Sequence, residues 1–472
     1  MLRRLKKRWT MPNGYRDVLK VGLPLVVSLG STTMMEFTDR VFLSRYSPDA
    51  IAASMPAAAA NLVPLLFFIG VGAYVNVFIA QYDGAAARDR VGAALWQSVY
   101  FSIFGAVVLA STALLADPLF RFVGHAESVF QQEVIYFRIL SLGSGLALLA
   151  SCLGCFFSGR GLTKPNMVVN VIATAINVPL DYMLIYGVGP FPEMGIAGAG
   201  IATASSWGMQ VVMYSALVFT RRNDKEYAVL RAWRFDGVLF RRIMRFGLPS
   251  GLNNFIDLGV MSYFIFVVGR LGRAELAASN IVFSMDTVAF LPMVGLSIAI
   301  STLVGQALGR GRPKDAEEAT RSTLHVATVW MGFMALTFVL APHWLMDIFR
   351  PHDAAVDASW FAEVRESGVV LLRYVAGYSL LSSTMLVYFG AVRGAGDTRF
   401  PMWAMLACAV LLLVVPLQVM EGKPWTSLDL MWAVFTVYVL ALCVLAYWRF
   451  RFGPWRSMLV IERASPEAEA DR

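Results

Sequence analysis

Five carboxylates sit inside apolar runs of this chain. They are Glu36 and Asp39 in Met35-Glu36-Phe37-Thr38-Asp39-Arg40, Asp181 four residues after Asn177, Asp257 after Asn253-Asn254, and Asp286. On a helix, residues three or four apart share a face, which sets Glu36 beside Asp39 and Asn177 beside Asp181. An ionisable side chain near mid-bilayer costs roughly 2.5–3.5 kcal/mol on insertion scales, so each needs a reason to be there. One reason is chemical: burial favours the neutral acid and a nearby cation favours the carboxylate, so a buried Asp can take up and release a proton or hold a cation. The plainer reading is an interfacial position near a span end, or neutralisation by an Arg. For Arg138 and Arg373, which also fall in apolar runs, the expectation is snorkelling or internal pairing with an acid.

The elements that must position these groups follow from composition. Of 472 residues, 57% are hydrophobic and 15% are charged, against about 25% charged in soluble domains. The apolar stretches are of helical spanning length, about twenty residues, and lack the short alternating pattern of barrel strands. The chain is therefore expected to be all-α and integral to the membrane. Twelve spans are expected, among them 195–219 as the sixth and 322–348 as the ninth. The net charge of +8 does not point to nucleic acid. With the basic start placed in the cytoplasm, most Lys and Arg fall in inside segments, as the positive-inside rule requires.

Sliding the sequence by 225 positions superposes Gly22-Leu23-Pro24 on Gly247-Leu248-Pro249 and Ala52-Ala53-Ser54 on Ala277-Ala278-Ser279. Arg16, Arg45, Gly70, Gln81 and Gly84 fall on Arg241, Arg270, Gly295, Gln306 and Gly309. Later, Arg160-Gly161 corresponds to Arg393-Gly394 and Pro179-Leu180 to Pro416-Leu417, while Asp39 meets Phe264 and Asp181 meets Gln418. Two six-helix bundles related by a pseudo-twofold axis along the membrane normal are expected, with a substrate path between them. The boundaries read as a basic cytoplasmic amino terminus 1–15, a first lobe 16–220, a cytoplasmic linker 221–240, a second lobe 241–448 and a cytoplasmic tail 449–472. Pro24 and Pro249 each remove a backbone hydrogen bond early in a span and are candidate hinges.

Other motifs carry little chemistry. Cys152 and Cys155 form a C-x-x-C inside an apolar span, which reads as packing. Gly195-Ile-Ala-Gly198-Ala-Gly200 follows no strand and reads as close helix contact through small residues. No Walker, zincin or nucleophile-elbow motif is present. No enzyme activity and no ATP-driven transport are expected.

From about residue 15 to 450 the chain resembles the multidrug and toxic compound extrusion (MATE) transporters, closest to the NorM-type bacterial branch. The resemblance rests on Gly22-Leu-Pro24, Phe37-Thr-Asp39, Ile51-Ala-Ala-Ser54, Arg160-Gly-Leu-Thr-Lys-Pro165, Asn177-Val-Pro-Leu-Asp181-Tyr182, Gly195-Ile-Ala-Gly198 and Ala202-Thr203. Gly247-Leu-Pro249, Gly305-Gln306 through Gly309, and Arg393-Gly394 continue it in the second half. It implies a monomeric, multi-pass protein of the bacterial inner membrane that exports organic cations or amphipathic compounds by alternating access, in exchange for Na⁺ or H⁺, with no other cofactor. Residue by residue, it implies a cation site at Asp39, Asn177, Asp181 and Thr203. In the second lobe it implies Asp257 and Tyr378; a family Asp falls on Ser382, a departure. Glu36 and Asp286 complete the polar set open to substrate or cation. A flippase of lipid-linked oligosaccharides from the same superfamily is the rival reading, disfavoured because intramembrane charges here are mostly acidic. An ion channel or membrane enzyme is a more distant rival.

Overall fold

The computed structural model describes residues 8–350 and 358–462; the basic cluster before Arg8, His352 and residues 463–472 lie outside it. Every regular element among the described residues is helical. Twelve long helices follow one another. They are α1 (Tyr15–Tyr46), α2 (Pro48–Gly72, resuming as Val75–Gly84), α3 (Asp89–Ser111), α4 (Glu127–Ser158), α5 (Lys164–Tyr186), α6 (Ile196–Val218), α7 (Gly237–Val268), α8 (Arg273–Gly309), α9 (Pro313–Leu340), α10 (Ala358–Ala395), α11 (Arg399–Cys408, continuing to Met420) and α12 (Leu428–Phe452). Eleven are long and apolar enough to cross a membrane. The remaining one is α6, where the sixth span was expected. It has 23 residues, enough to cross, but Gly, Ala, Ser and Thr dilute its hydropathy.

Local chemistry sets the ends. Ser47 caps α2 by accepting the Asp49 N–H at 3.2 Å, ahead of Pro48 in the first turn, where a missing N–H does no harm. Gly187, at φ 68°, closes α5 in the left-handed region, which glycine adopts without strain. The ninth span differs most from expectation. Its helix runs from Pro313 to Leu340, and Pro342 opens a separate short helix, Pro342–Asp347. The apolar run continued through this break, so hydropathy alone set the span too late. Apolar side chains face outward at Ile103, Phe104, Val107 and Leu114 along and just beyond α3. A stripe of that kind on a spanning helix meets lipid.

The chain forms two compact units. Of the described residues, the amino-terminal unit holds Lys20–Phe255, Gly305–Arg312 and those from Leu459, and the carboxyl-terminal unit holds those up to Leu19, Ile256–Val304 and those between Pro313 and Met458.

In the amino-terminal unit, α4 packs against α2, α3 and α6. Here the small residues of the Gly195–Gly200 stretch act in packing, because a Cβ on Gly198 would lie 2.5 Å from the Leu184 carbonyl oxygen. Cys152 and Cys155 are buried and free, the latter donating to the Ala73 and Ser151 carbonyls. The 221–240 segment folds onto α3 through Trp96 Nε1 on Val229 O (2.7 Å), Tyr100 on the Trp233 carbonyl, and an Arg88–Glu226 ion pair. Within it Asp224 accepts the Leu230 and Arg231 backbone N–H groups, which hold its carboxyl below the usual range. Val460 is buried, its N–H donating to Gln81 Oε1 at 2.8 Å, and Glu462 pairs with Arg90 and Arg242.

The repeat has a physical signature in this unit. A Cβ on Gly84 would stand 2.3 Å from Gln306 O, and one on Gly309 would stand 2.2 Å from Gln81 O. Repeat-related glycines therefore each admit the other copy's glutamine backbone. Replacing Gly84 by Val is expected to cost about 1–3 kcal/mol through overpacking. This should appear as a lower thermal unfolding midpoint of the detergent-solubilised protein. Gly377→Ala, where nothing lies within 4 Å, should leave the midpoint in place. Equal midpoints for both variants would remove the close approach from the account.

In the carboxyl-terminal unit, α10 packs against α9 and α12. Its centre is aromatic: Phe264, Phe283, Trp432 and Phe435 contact one another with ring centroids 4.7–6.1 Å apart. The repeat is imperfect here as well. Pro179 lies inside a regular α5, whereas its counterpart Pro416 follows a π-helical stretch, Ala409–Val414, in α11.

Candidate ion-coupling site

Asp39, Asn177, Asp181 and Thr203 come together in the amino-terminal unit, from α1, α5 and α6. Asn177 and Asp181 are fully buried, and Asp39 and Thr203 are 5% and 6% exposed. Thr203 Oγ1 donates to Asp39 Oδ2 at 3.0 Å. The carboxyls of Asp39 and Asp181 stand near enough to act on each other electrostatically. As carboxylates, both are acceptors only, so no hydrogen bond joins them without a proton. Asp39 Oδ1, both Asp181 oxygens and both polar atoms of the Asn177 amide are buried without a hydrogen-bond partner. Unmatched acceptors are costly in so dry a place. A shared proton, or a cation with a taste for oxygen, would satisfy them. Neither acid forms an ion pair among the described residues, although Arg40 acts on Asp39 through space. No group of three or more His, Cys, Asp or Glu fit to hold a metal is found among the described residues either.

The site is the end of a polar ladder along α5. Asn166 donates to Gly154 O (3.1 Å), and Asn170 donates to Ser28 Oγ (2.7 Å) and Tyr214 Oη (3.2 Å). Thr174 then donates to Ser31 O (3.1 Å), before Asn177 and Asp181 complete the face. Tyr136 of α4, buried, interacts electrostatically with Asp39 and Asp181. Sequence reasoning passed over Tyr136 and the ladder. The spacing of Asn166, Asn170, Thr174, Asn177 and Asp181 was a visible helical stripe; nothing in the sequence marked Tyr136.

Glu36 is not part of this group. Three residues leave a helical offset of about 60°, and Glu36 is exposed where Asp39 is buried. Pro24 and Pro249 lie inside α1 and α7, which both continue past them. The Pro24 ring cannot donate to Lys20 O. Instead Thr163 Oγ1 donates to Val21 O at 2.8 Å and reaches Lys20 O at 3.4 Å.

In the carboxyl-terminal unit the expected grouping of Asp257 with Tyr378 and Ser382 does not form. Tyr378 Oη donates to Asp286 Oδ2 at 2.8 Å. Ser382 Oγ donates to Ser379 O of its own helix at 2.9 Å, as a helical serine with no better acceptor does. Asp257 is exposed and interacts with Arg393 and Tyr438. Arg138 pairs with Asp117 as expected. Of the histidines, His125 meets the fully buried Glu133 at 2.7 Å, and His325 meets Tyr15 Oη at 2.8 Å.

Spanning helices, an internal repeat and a buried acid pair define a multi-pass membrane protein. The MatE family model matches residues 24–183 and again 249–420, two copies whose starts stand 225 positions apart, as the repeat does. The chain belongs to the multidrug and toxic compound extrusion family. It is 29% identical over 402 residues to the probable multidrug resistance protein NorM of Pseudomonas aeruginosa, covering 83% of this chain and 80% of that protein. It is 24% identical over 401 residues to the protein of the same description from Idiomarina loihiensis, covering 84% of each. Its fold matches the outward-facing conformation of a multidrug resistance MATE family transporter of the MOP superfamily, with TM-score 0.84, 18% identity and coverage of 95% and 97%. It also matches a MATE in the bent conformation, with TM-score 0.83, 18% identity and coverage of 92% and 94%.

Proposed function

We propose that this protein is a secondary active exporter of organic cations and amphipathic drugs in the bacterial inner membrane, working by alternating access in exchange for H⁺ or Na⁺. The observation that carries this reading is the buried Asp39–Asp181 pair with Thr203 and Asn177, in which three of the four carboxylate oxygens and the Asn177 amide lack partners. An ion entering the pair changes its charge, and the same ion leaving restores it; that is the role of a coupling group. Pro24 and Pro249 are the candidate hinges, with Thr163 Oγ1 reaching the Lys20 carbonyl that Pro24 leaves without its helical donor. Export of multidrug type is what the NorM description of the relatives supports. A flippase for lipid-linked phosphates would need basic groups where this site is acidic. The test is ethidium transport in inverted vesicles containing the protein, first under an imposed Na⁺ gradient and then under a pH gradient alone. Saturable uptake under one gradient, collapsing when that gradient is dissipated, is the expected result. Transport indifferent to both gradients overturns the reading.

A further inference from the structure

We infer that the foot of α7, with the segment leading into it, is a docking surface for an anionic phospholipid, whose headgroup phosphate sits on Arg241 and Arg245. This stands apart from the exporter reading. Val238, Arg241, Arg245, Leu248, Leu252 and Phe255 follow one another at intervals of three and four residues, so they share one face of α7. All six are exposed. The face changes chemistry along its length. Two cations stand one turn apart, about 6 Å along the axis, and apolar side chains follow at Leu248, Leu252 and Phe255, further into the spanning helix.

The segment before α7 is pinned to α3 by its backbone. Tyr100 Oη donates to the Trp233 carbonyl, Gln97 Nε2 to Arg234 O (3.4 Å), and the Asp236 N–H to Gln97 Oε1 (3.3 Å). Asp236 Oδ1 in turn accepts the Val238 and Leu239 N–H groups at 3.1 and 3.0 Å, which caps the start of α7. Held this way, the segment leaves Trp233, Phe235 and Val238 exposed by 59%, 61% and 69%. Large apolar and aromatic side chains at that exposure, interleaved with Arg beside a spanning helix, suit the membrane interface, where Trp is enriched.

Charge then selects among lipids. The acids of the linker and the described tail already have basic partners: Asp224 meets Arg231, Glu226 meets Arg88, Asp236 meets Arg90, and Glu462 meets both Arg90 and Arg242. Arg234, Arg241 and Arg245 are exposed and form no ion pair among the described residues. A free phosphate would make no use of the apolar stripe, and a lipid of neutral headgroup would leave the guanidiniums unmatched. An anionic phospholipid answers both, its phosphate accepting charge-assisted N–H bonds and an acyl chain lying along Leu248, Leu252 and Phe255. The positive-inside rule makes this side cytoplasmic, and an anionic leaflet attracts basic segments there.

The probe is dioleoyl phosphatidylglycerol, titrated into detergent micelles of the purified full-length protein, with the thermal unfolding midpoint as readout. The wild type should show a saturable rise, and dioleoyl phosphatidylcholine at the same mole fractions should give much less of it. Arg241→Gln combined with Arg245→Gln should raise the half-saturating mole fraction at least about tenfold, and Arg241→Lys combined with Arg245→Lys should recover most of that loss. Arg312→Gln combined with Lys314→Gln is the charge-matched comparison. Both residues are exposed, but no large apolar side chain between 289 and 328 is, so this variant should titrate like the wild type. An equal loss in the two Gln double variants, or equal rises with both lipids, overturns the site. So does glycerol 3-phosphate reproducing the rise, which would make the ligand a free phosphate. A rise that emerges only when residues 463–472 are removed also overturns it, and gives the surface to the acidic tail.

Discussion

Asp39→Asn should insert, fold and bind ethidium, yet be unable to accumulate it against a gradient. Asn keeps the shape and a hydrogen-bonding oxygen for Thr203, which now donates to Asp39 Oδ2 at 3.0 Å. It cannot change charge when a proton or cation arrives. Exchange of one proton for one ethidium cation is electroneutral, so the pH difference sets the accumulation, about tenfold (about 1.4 kcal/mol) per unit. The variant should fall from a ratio of that order to about unity in inverted vesicles, while ethidium binding to purified protein stays within a few-fold of wild type. Accumulation by the variant close to the wild-type level would show that coupling does not pass through Asp39.

Much of this arrangement was legible before any coordinates. The 225-residue offset located the two copies because Gly, Pro, Gln and Arg in register have specific jobs: Gly84 and Gly309 admit a backbone at distances no side chain tolerates. Asp39, Asn177 and Asp181 could be named because ionisable and amide side chains in apolar helices are costly and therefore few; Thr203 was named only through the family resemblance. What stayed hidden depends on contacts between distant segments. Tyr136 is an ordinary aromatic until α4 places it by the acid pair. Tyr378 could have served Asp257 or Asp286, and only the packing of α8 on α10 decides for Asp286. The ninth span was misplaced because hydropathy does not register the break before Pro342. In α6 the reverse holds: small residues that let helices approach also make the helix look less like a span.

The last expectation is a ranking: Asp181→Asn should damage ion-driven efflux more than Asp257→Asn. The two acids stand in different electrostatic settings. Asp181 is fully buried with both oxygens unpartnered and a second carboxyl, Asp39, as its neighbour. Removing its charge leaves Asp39 alone, with no second acid to share a proton or complete an oxygen set. Asp257 is exposed and already has a basic neighbour in Arg393, which itself donates to Ser297 Oγ at 3.1 Å. Among the described residues, the electrostatic neighbours of Asp257 include no second carboxyl with which to share a proton or an oxygen set. Ser382, which could have supplied a second oxygen ligand, is turned to Ser379 O. Initial rates of ethidium efflux, at matched expression and under the same gradient, should fall at least about tenfold for Asp181→Asn, the loss of about 1.4 kcal/mol of coupling. For Asp257→Asn they should stay within a factor of about three, a change of less than 1 kcal/mol. If Asp257→Asn abolishes transport while Asp181→Asn leaves it intact, the coupling group belongs to the carboxyl-terminal unit and the assignment to the buried pair is wrong.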